Sequence, residues 1–223
     1  HSIPPYYPLE LLAGMEMDLA GYSYETRADL LIYCYRVAGI VGLMSSHILT
    51  VKEDTALEQA THMGIAMQIT NIARDVFDDF QLGRIYIPRS LLEKHGVDPE
   101  RICEPSQRPQ LVRCVAEMLD WAEELYQSGD RGLIHLPIRM AFAVQVARNV
   151  YSDIGRKVRE RGPRAWDSRT WIRLPRKLWL TTKAVAQTLL SLPWRALSFF
   201  RRAELSQIYT RERAVESAEG LLS

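Results

Sequence analysis

The stretch QITNIARDVFDDFQLGRIYIP, from Gln68 to Pro88, carries the clearest pattern in the chain. Side chains with oxygen donors recur in it at offsets of 0, 3, 7 and 11, and they are Gln68, Asn71, Asp75 and Asp79. At about 100° per residue, these offsets fall within about 80° of a helix surface. The apolar side chains between them point elsewhere. The stretch therefore predicts a helix with one face made of oxygen donors.

This face has the chemistry of a cation site. A solvated face would mix charges of both signs to form i,i+4 pairs, but the nearby cation Arg74 is expected on a different face from the two aspartates. Carboxylates four residues apart, with an amide oxygen one turn earlier, suit Mg²⁺, which often completes its shell with substrate phosphates. We expect Asn71, Asp75 and Asp79 to hold Mg²⁺, or Mn²⁺, against a diphosphate. A DxxxD pair alone is more often an ordinary surface face.

A second stretch, DLLIYCYRVAGIVGLMSSHIL from Asp29 to Leu49, is apolar nearly all round and predicts a central buried helix. Ala38, Gly39 and Gly42 keep one flank thin, which leaves room for a neighbour or a long apolar ligand. A cation bound to a diphosphate neutralises the charge that develops as the C–O bond ionises. A cation face beside an apolar channel is what an isoprenoid diphosphate requires.

Composition narrows the class of protein. The 223 residues, 47% of them apolar, are enough for one sizeable core. The 28 basic and 27 acidic residues nearly cancel, so net charge gives no argument for nucleic acid. Three cysteines without a CxxC motif indicate free thiols in a reducing compartment. We find no secretory signal and no uncharged apolar run of about 18 residues, and expect a soluble or surface-attached cytoplasmic protein.

The remaining periodicity is helical. Helices are predicted at about 9–17, 55–79, 109–129 and 136–161, with a short one after Pro88. No segment alternates strictly, so the expected fold class is all-α. The end of the chain, RERAVESAEGLLS, is interpreted as a polar tail.

The composition changes after residue 167, so we divide the chain into 1–167 and a C-terminal segment, 168–223. Between Ser168 and Ala203 there is no acidic residue. Basic and aromatic residues alternate there: Arg169, Trp171, Arg173, Arg176, Lys177, Trp179, Lys183, Trp194, Arg195, Phe199, Phe200, Arg201 and Arg202. Two interpretations remain open: a terminal helix packed on the domain with a solvated basic face, or an amphipathic helix at an anionic membrane surface.

Three landmarks, YCYRVAGIVGLM, QITNIARDVFDDFQLGRIYIP and RGPRAWD, resemble the squalene and phytoene synthase family, and within it the bacterial phytoene synthases. The resemblance runs from IPPYYPLELLAGMEMDL to about Arg176. It implies an isoprenoid synthase fold, a helical bundle around a central apolar cavity. It also implies Mg²⁺-dependent head-to-head condensation of two geranylgeranyl diphosphates to phytoene through a cyclopropylcarbinyl diphosphate, in carotenoid biosynthesis and without NADPH.

The resemblance also implies roles for individual residues. Asn71 and Asp75 match Mg²⁺-coordinating positions, Asp79 closes an aspartate-rich motif, and Gln68 lies at its polar edge. Arg74 and Arg84 match diphosphate-contacting positions, and Tyr86, which is close to them in sequence, is also expected to bind diphosphate oxygens. Two tyrosines, Tyr33 and Tyr151, match positions that face the cavity and diphosphate, with ordinary core packing as the alternative. The apolar wall corresponds to Val37, Ala38, Val41 and Gly42. For Cys34, His47 and Trp166 we expect packing roles.

One family feature is not found in the sequence. Members carry a first aspartate-rich motif on an upstream helix, and no two aspartates before Gln68 form a DxxxD pair, so we interpret the chain as an N-terminally incomplete phytoene synthase. The alternatives are a squalene or dehydrosqualene synthase that uses farnesyl diphosphate, or a non-catalytic scaffold. Because the expected product is a C40 hydrocarbon, we also expect the C-terminal segment to contact the inner membrane surface peripherally.

Overall fold

The computed structural model describes residues 3–51, 53–199 and 209–222, with residues 196–199 described by their backbone only. All regular elements in these ranges are helical, which confirms the all-α prediction. The α-helices are α1 (Tyr6–Ala20), α2 (Arg27–Cys34), α3 (Ile40–Ile48), α4 (Asp54–Gln81), α5 (Arg89–His95), α6 (Arg108–Gly132), α7 (Ile138–Arg161), α8 (Leu174–Leu190), α9 (Leu192–Phe199) and α10 (Arg211–Leu221). Short 3₁₀ turns lie at Pro99–Arg101, Pro105–Gln107, Leu133–His135 and Gly162–Arg164.

Helix α4, which contains the acidic stretch, is the central element and packs against α3, α6 and α7. Its contact with α3 depends on glycine. A Cβ at Gly64 would lie 2.5 Å from the carbonyl oxygen of Ala38, and one at Gly42 would lie 2.6 Å from that of Ala60. These two pairs show that α3 runs antiparallel to α4 and that the two backbones touch.

The apolar stretch predicted as one helix begins as expected but is not uniform. Thr26 accepts a hydrogen bond from the backbone N–H of Asp29, and the Asp29 carboxylate accepts one from that of Thr26, so a capping box starts α2. A π-helical turn at Tyr35–Gly39 then separates α2 from α3. Such turns are rare and occur often at functional sites.

The same stretch bears on the membrane prediction. Arg27–Ile48 is long and apolar enough to cross a membrane by length and composition, although it is not an uncharged run of about 18 residues, the kind of segment that we expected to be absent. It includes Arg36, whose Nε donates to Glu10 Oε2 at 2.9 Å. Of its most apolar window, 44% is buried within the bundle, and the core helix of a soluble protein passes the same test.

Helices α6 and α7 complete the bundle around α4. Helix α6 continues to Gly132, beyond the end predicted at Ser128-Gly129. The reason is packing: a Cβ at Gly129 would lie 2.8 Å from the Met63 side chain, and one at Gly132 2.8 Å from that of Gln59, so these glycines allow close approach to α4 instead of ending the helix.

The end of the chain was predicted as a polar tail, and this prediction is wrong. Residues Arg211–Leu221 form α10, which starts where the Thr210 side chain accepts a hydrogen bond from the N–H of Arg213. Ala214 and Ala218 are buried. Because these two residues are small and lie four positions apart, they give α10 a narrow packing face that its polar composition hides.

The described part of the C-terminal segment contacts the bundle. Helix α8 buries Leu180, Ala184 and Thr188 against α7, and Asn149 of α7 donates to the Leu180 carbonyl at 3.3 Å. Its outer face remains exposed, as do Trp171, Trp179 and Trp194. Phe200, Arg201 and Arg202 of the predicted basic and aromatic segment lie outside the described residues, as does the side chain of Phe199. The division at residue 167 stays a prediction.

Candidate active site

A cavity of about 450 Å³ lies between α3, α4 and α7, and the end of α6 closes one side. Its wall is almost entirely apolar. All four residues predicted for the apolar wall line it: Val37, Ala38, Val41 and Gly42. Val37 and Ala38 belong to the π-helical turn, so the irregular part of the backbone faces the cavity. The apolar channel expected from the sequence is therefore present.

One end of this cavity is polar. Gln68 and Asn71 reach it from α4, and Tyr151 reaches it from α7. Asn71 Nδ2 donates to Gln68 Oε1 at 3.4 Å, so the two amides lie together. Helical periodicity places Asp75 one turn beyond Asn71 and Asp79 one turn further. The structure thus brings together three of the predicted polar residues at the mouth of an apolar cavity, with both carboxylates along the same line.

Asp75 is already in contact with two cations. Arg74 donates to both of its carboxylate oxygens, with Nε 2.8 Å from Oδ1. Arg169 approaches from the C-terminal segment, with Nη2 3.4 Å from Oδ2. Our prediction that Arg74 lies on a different face from the aspartates is wrong, because a long arginine side chain can fold back over its sequence neighbour. The contact puts Arg74 and Arg169 where they can receive a diphosphate.

The surroundings of Asp79 disfavour the charged form of its carboxyl group. Burial and, after it, the negative charge of Asp75 raise its pKa to about 6, although Arg84 partly opposes both effects. A neighbouring carboxylate, Asp18 of α1, acts in the same direction as Asp75. Such crowding favours a bound proton or cation.

Tyr33, Tyr86 and Arg84 lie outside the apolar cavity. Arg84 and Tyr86 line a much smaller pocket with Asp79. The Tyr33 and Tyr86 rings stack with centroids 4.8 Å apart, and both hydroxyls donate to Asp18, at 3.2 and 2.7 Å. Burial raises the pKa of both tyrosines, that of Tyr86 to about 12, so both are protonated donors at neutral pH.

Asp18 is the residue that the sequence reasoning missed. It carries no spacing signal, because it is the last acid of α1 and has no acidic partner at DxxxD distance. Arg169 was noted only as one of many basic residues. Contacts across 68 residues, between Asp18 and Tyr86, and across 94 residues, between Asp75 and Arg169, define their positions.

Few of the described side chains are placed to bind a metal ion. Within the described parts of the chain, no group of three or more His, Cys, Asp or Glu side chains is arranged to hold a metal ion. The predicted set of Asn71, Asp75 and Asp79 includes an amide and lies along one helix. Oxygen donors and the raised pKa of Asp79 fit a hard divalent cation. For binding, Asp75 would have to exchange part of its arginine contacts.

The residues expected to pack do so. Trp166 is buried, donates from Nε1 to the Ala73 carbonyl at 3.1 Å and stacks on Phe77. Cys34 is a buried free thiol. His47 lies beside the Tyr7 ring, with centroids 5.3 Å apart.

Comparison with curated proteins finds phytoene synthases among the relatives of this chain. The chain is 40% identical over 191 residues to a 15-cis-phytoene synthase of Enterobacter agglomerans, and 42% identical over 191 residues to one of Pantoea ananas. Each alignment covers 86% of this chain, and 65% and 62% of the two relatives. The chain therefore spans less than two thirds of the length of the curated relatives it matches.

Solved structures agree with these relatives. A dehydrosqualene synthase in complex with a ligand superposes with a TM-score of 0.76 at 31% identity, over 81% of this chain and 64% of that chain. The squalene synthase HpnC of Alicyclobacillus acidocaldarius gives 0.68 at 29% identity, over 72% and 61%. The chain thus has the expected isoprenoid synthase fold. The profile of the family described as squalene/phytoene synthase matches residues 1–179. On this match and these relatives, the chain belongs to the squalene/phytoene synthase family.

Proposed function

We propose that this chain is the catalytic part of a phytoene synthase, which condenses two geranylgeranyl diphosphates head to head. The observation that carries the proposal is the apolar cavity whose polar end is formed by Gln68, Asn71 and Tyr151. An isoprenoid diphosphate has the same two parts, a long apolar chain and a charged head. The similarity to two phytoene synthases favours the C20 substrate and the C40 product.

In the proposed reaction the cavity holds the prenyl chain away from water while the head reaches the polar end. The C–O bond of the first substrate breaks, and its electron pair leaves with the diphosphate. The double bond of the second substrate attacks the allylic cation, and loss of a proton gives a cyclopropylcarbinyl diphosphate. A second ionisation, a rearrangement and a second proton loss give phytoene. No step gains or loses electrons overall, so the sequence of steps needs no NADPH.

The residues of the site have defined parts in this scheme. Arg74 and Arg169 contact Asp75, where they can bind the diphosphate as it leaves. Arg84, beside Asp79, is a third cation at the site. Asn71, Asp75 and Asp79 would hold Mg²⁺ or Mn²⁺. When bound, such an ion supplies positive charge to the leaving diphosphate. Tyr151 lines the polar end of the cavity, where an aromatic ring would stabilise a carbocation.

A second candidate is the condensation of two farnesyl diphosphates, as expected of a squalene or dehydrosqualene synthase. The superposition on a dehydrosqualene synthase favours it. Chemistry and site would be the same, and only the length of the prenyl chain would differ. Product analysis therefore separates the two candidates.

The test is to incubate the chain with labelled geranylgeranyl or farnesyl diphosphate and Mg²⁺, and to analyse the extracted hydrocarbon. We expect phytoene from the C20 substrate, no product with Asp75→Ala or Asp79→Ala, and product with Asp78→Ala, an exposed neighbour. A C30 product alone would favour the second candidate. If neither substrate yields a hydrocarbon, the catalytic proposal fails and a scaffold role replaces it.

We further propose that the outer face of α8 contacts a membrane peripherally. Four of its six large exposed apolar residues, Leu174, Leu178, Val185 and Leu189, fall within about 60° of the helix surface, and Trp179 and Leu190 lie outside this sector. Lys177 and Lys183 are exposed on the same helix, and anionic lipid attracts such residues. Lys177→Glu with Lys183→Glu should lower binding to anionic vesicles, whereas Arg113→Glu on α6 should not. Equal effects of both changes, or none, would contradict this proposal.

A further inference from the structure

The cavity follows α4 over a defined length. Its lining residues on this helix run from Asn71 at the polar end back to Ala56, 15 residues away. At a rise of about 1.5 Å per residue, this distance is about 22 Å. Ala60 lies between them, about 16 Å from Asn71. The position of a residue on α4 therefore gives its depth in the cavity, counted from Asn71.

The opposite wall has the same register. Helix α7 runs parallel to α4: the His135 side chain, just before α7, lies 3.8 Å from Glu53 at the start of α4, and a Cβ at Gly155 would lie 3.7 Å from the Thr70 side chain. Interpolating between these two contacts places Val144 level with residue 60. Ala60 and Val144 both line the cavity, and they lie at the same depth on two different helices.

Prenyl chains can be placed on the same scale. An extended chain advances about 1.2 Å per bond, as the protein backbone does. A C15 prenyl group then reaches about 14 Å from its oxygen, and a C20 group about 19 Å. The fourth isoprene unit of the C20 chain thus occupies the depth between about 14 and 19 Å, which includes the level of Ala60.

We infer that Ala60 and Val144 determine the prenyl chain length that the cavity accepts, because their small side chains leave room for a fourth isoprene unit. The inference rests on the proposed function, since it takes the polar end as the place of the diphosphate. Helix α3 already packs tightly here, because Gly42 lies directly on the Ala60 backbone. Since Ala60 lines the cavity, we expect a larger side chain at residue 60 to occupy cavity volume.

The inference predicts a selective effect. Ala60→Leu should fill the depth of the fourth unit and leave the first three untouched. Val144→Phe should have the same effect from the other wall. Ala56→Leu, about 6 Å deeper, should lower C20 binding less than Ala60→Leu does. An exposed position on α7, Ala143, provides a matched Ala→Leu control that lies outside the cavity.

The experiment is calorimetric titration of each variant with the unreactive S-thiolodiphosphates of farnesol and geranylgeraniol in the presence of Mg²⁺. We expect Ala60→Leu and Val144→Phe each to weaken C20 binding at least tenfold while C15 binding changes less than threefold. Ala143→Leu should behave as the wild type.

Three outcomes would decide against the inference or its basis. If Ala60→Leu and Val144→Phe both retain C20 binding, the two residues do not determine chain length. If both variants lose C15 and C20 binding equally, the effect is a general loss of the site, and the inference is also overturned. If the wild-type chain binds neither analogue, the proposed function itself fails, and this result is recognisable before any variant is compared.

Discussion

Asp79→Asn is expected to stabilise the folded chain at neutral pH, although it removes a residue assigned to the site. The pKa of Asp79 is raised from 3.8 to about 6 by burial and by the charge of Asp75. A raised pKa means that the folded state holds the proton more tightly than the unfolded state. Above pH 6 the charged carboxylate is therefore a cost to folding, and the cost fades as the pH falls towards 3.8.

The magnitude follows from the shift. About two pKa units correspond to about 3 kcal/mol, which we halve to about 1.5 kcal/mol because the side chain is only partly buried. For a domain of this size, about 1.5 kcal/mol raises the melting temperature by about 3–6 °C. At pH 4.5 about a third of the effect should remain, because the folded-state carboxyl is then almost fully protonated while most of the unfolded-state carboxyl is still charged.

The assay is thermal unfolding with EDTA at pH 7.5 and pH 4.5. Asp78→Asn is the control, since this neighbour is exposed and its change should stay within about 0.5 kcal/mol. Added Mg²⁺ should then raise the melting temperature of the wild type more than that of Asp79→Asn, because a ligand of the folded state stabilises it. An unchanged or lower melting temperature for Asp79→Asn at pH 7.5, or an equal shift at both pH values, would refute the reasoning.

Gly64→Ala should lower the melting temperature by about 4–8 °C. Overpacking against the backbone of Ala38 should cost about 2 kcal/mol after the better helix propensity of alanine is taken into account. In the control Gly220→Ala, the added Cβ meets open space, so the melting temperature should fall by less than 1 °C or rise. Burial lowers the pKa of His62 to about 4, so stability should fall as the pH drops from 6.5 to 4, and urea titrations of His62→Gln should show less of this loss. Trp166→Phe removes a buried hydrogen bond and should cost about 1–2 kcal/mol in the same titrations; no change would show that the bond contributes nothing.

Much of the fold follows from periodicity. The stretch around Gln68 is helical because its oxygen-bearing and apolar residues separate at 3.6 residues per turn, and α4 extends only one or two residues beyond the predicted ends. The π-helical turn at Tyr35–Gly39 could not be predicted, because its residues are as apolar as those of the flanking helices. Helix α10 was missed because two buried alanines are its main packing signal.

The candidate site, too, could be predicted from the sequence only in part. Offsets along one helix predicted that Gln68 and Asn71 share a face, and both line the cavity. The residues expected for the apolar wall from the family resemblance also line it. The offsets could not place Asp18 or Arg169, because no local spacing relates these residues to Asp75 or Asp79. Arg74 was misplaced because the position of a Cα on a helix does not determine where a long side chain ends.

The sequence by itself determined the helical fold class, the family and the polar line on α4, because each of these depends on residue types at short, regular spacing. Only the tertiary structure decided which groups meet that line. The Asp18 carboxylate that receives Tyr33 and Tyr86, the arginines that contact Asp75 and the depth of the cavity at Ala60 all come from contacts between distant segments. Such contacts arise when several apolar faces are buried together, and no single segment carries that information.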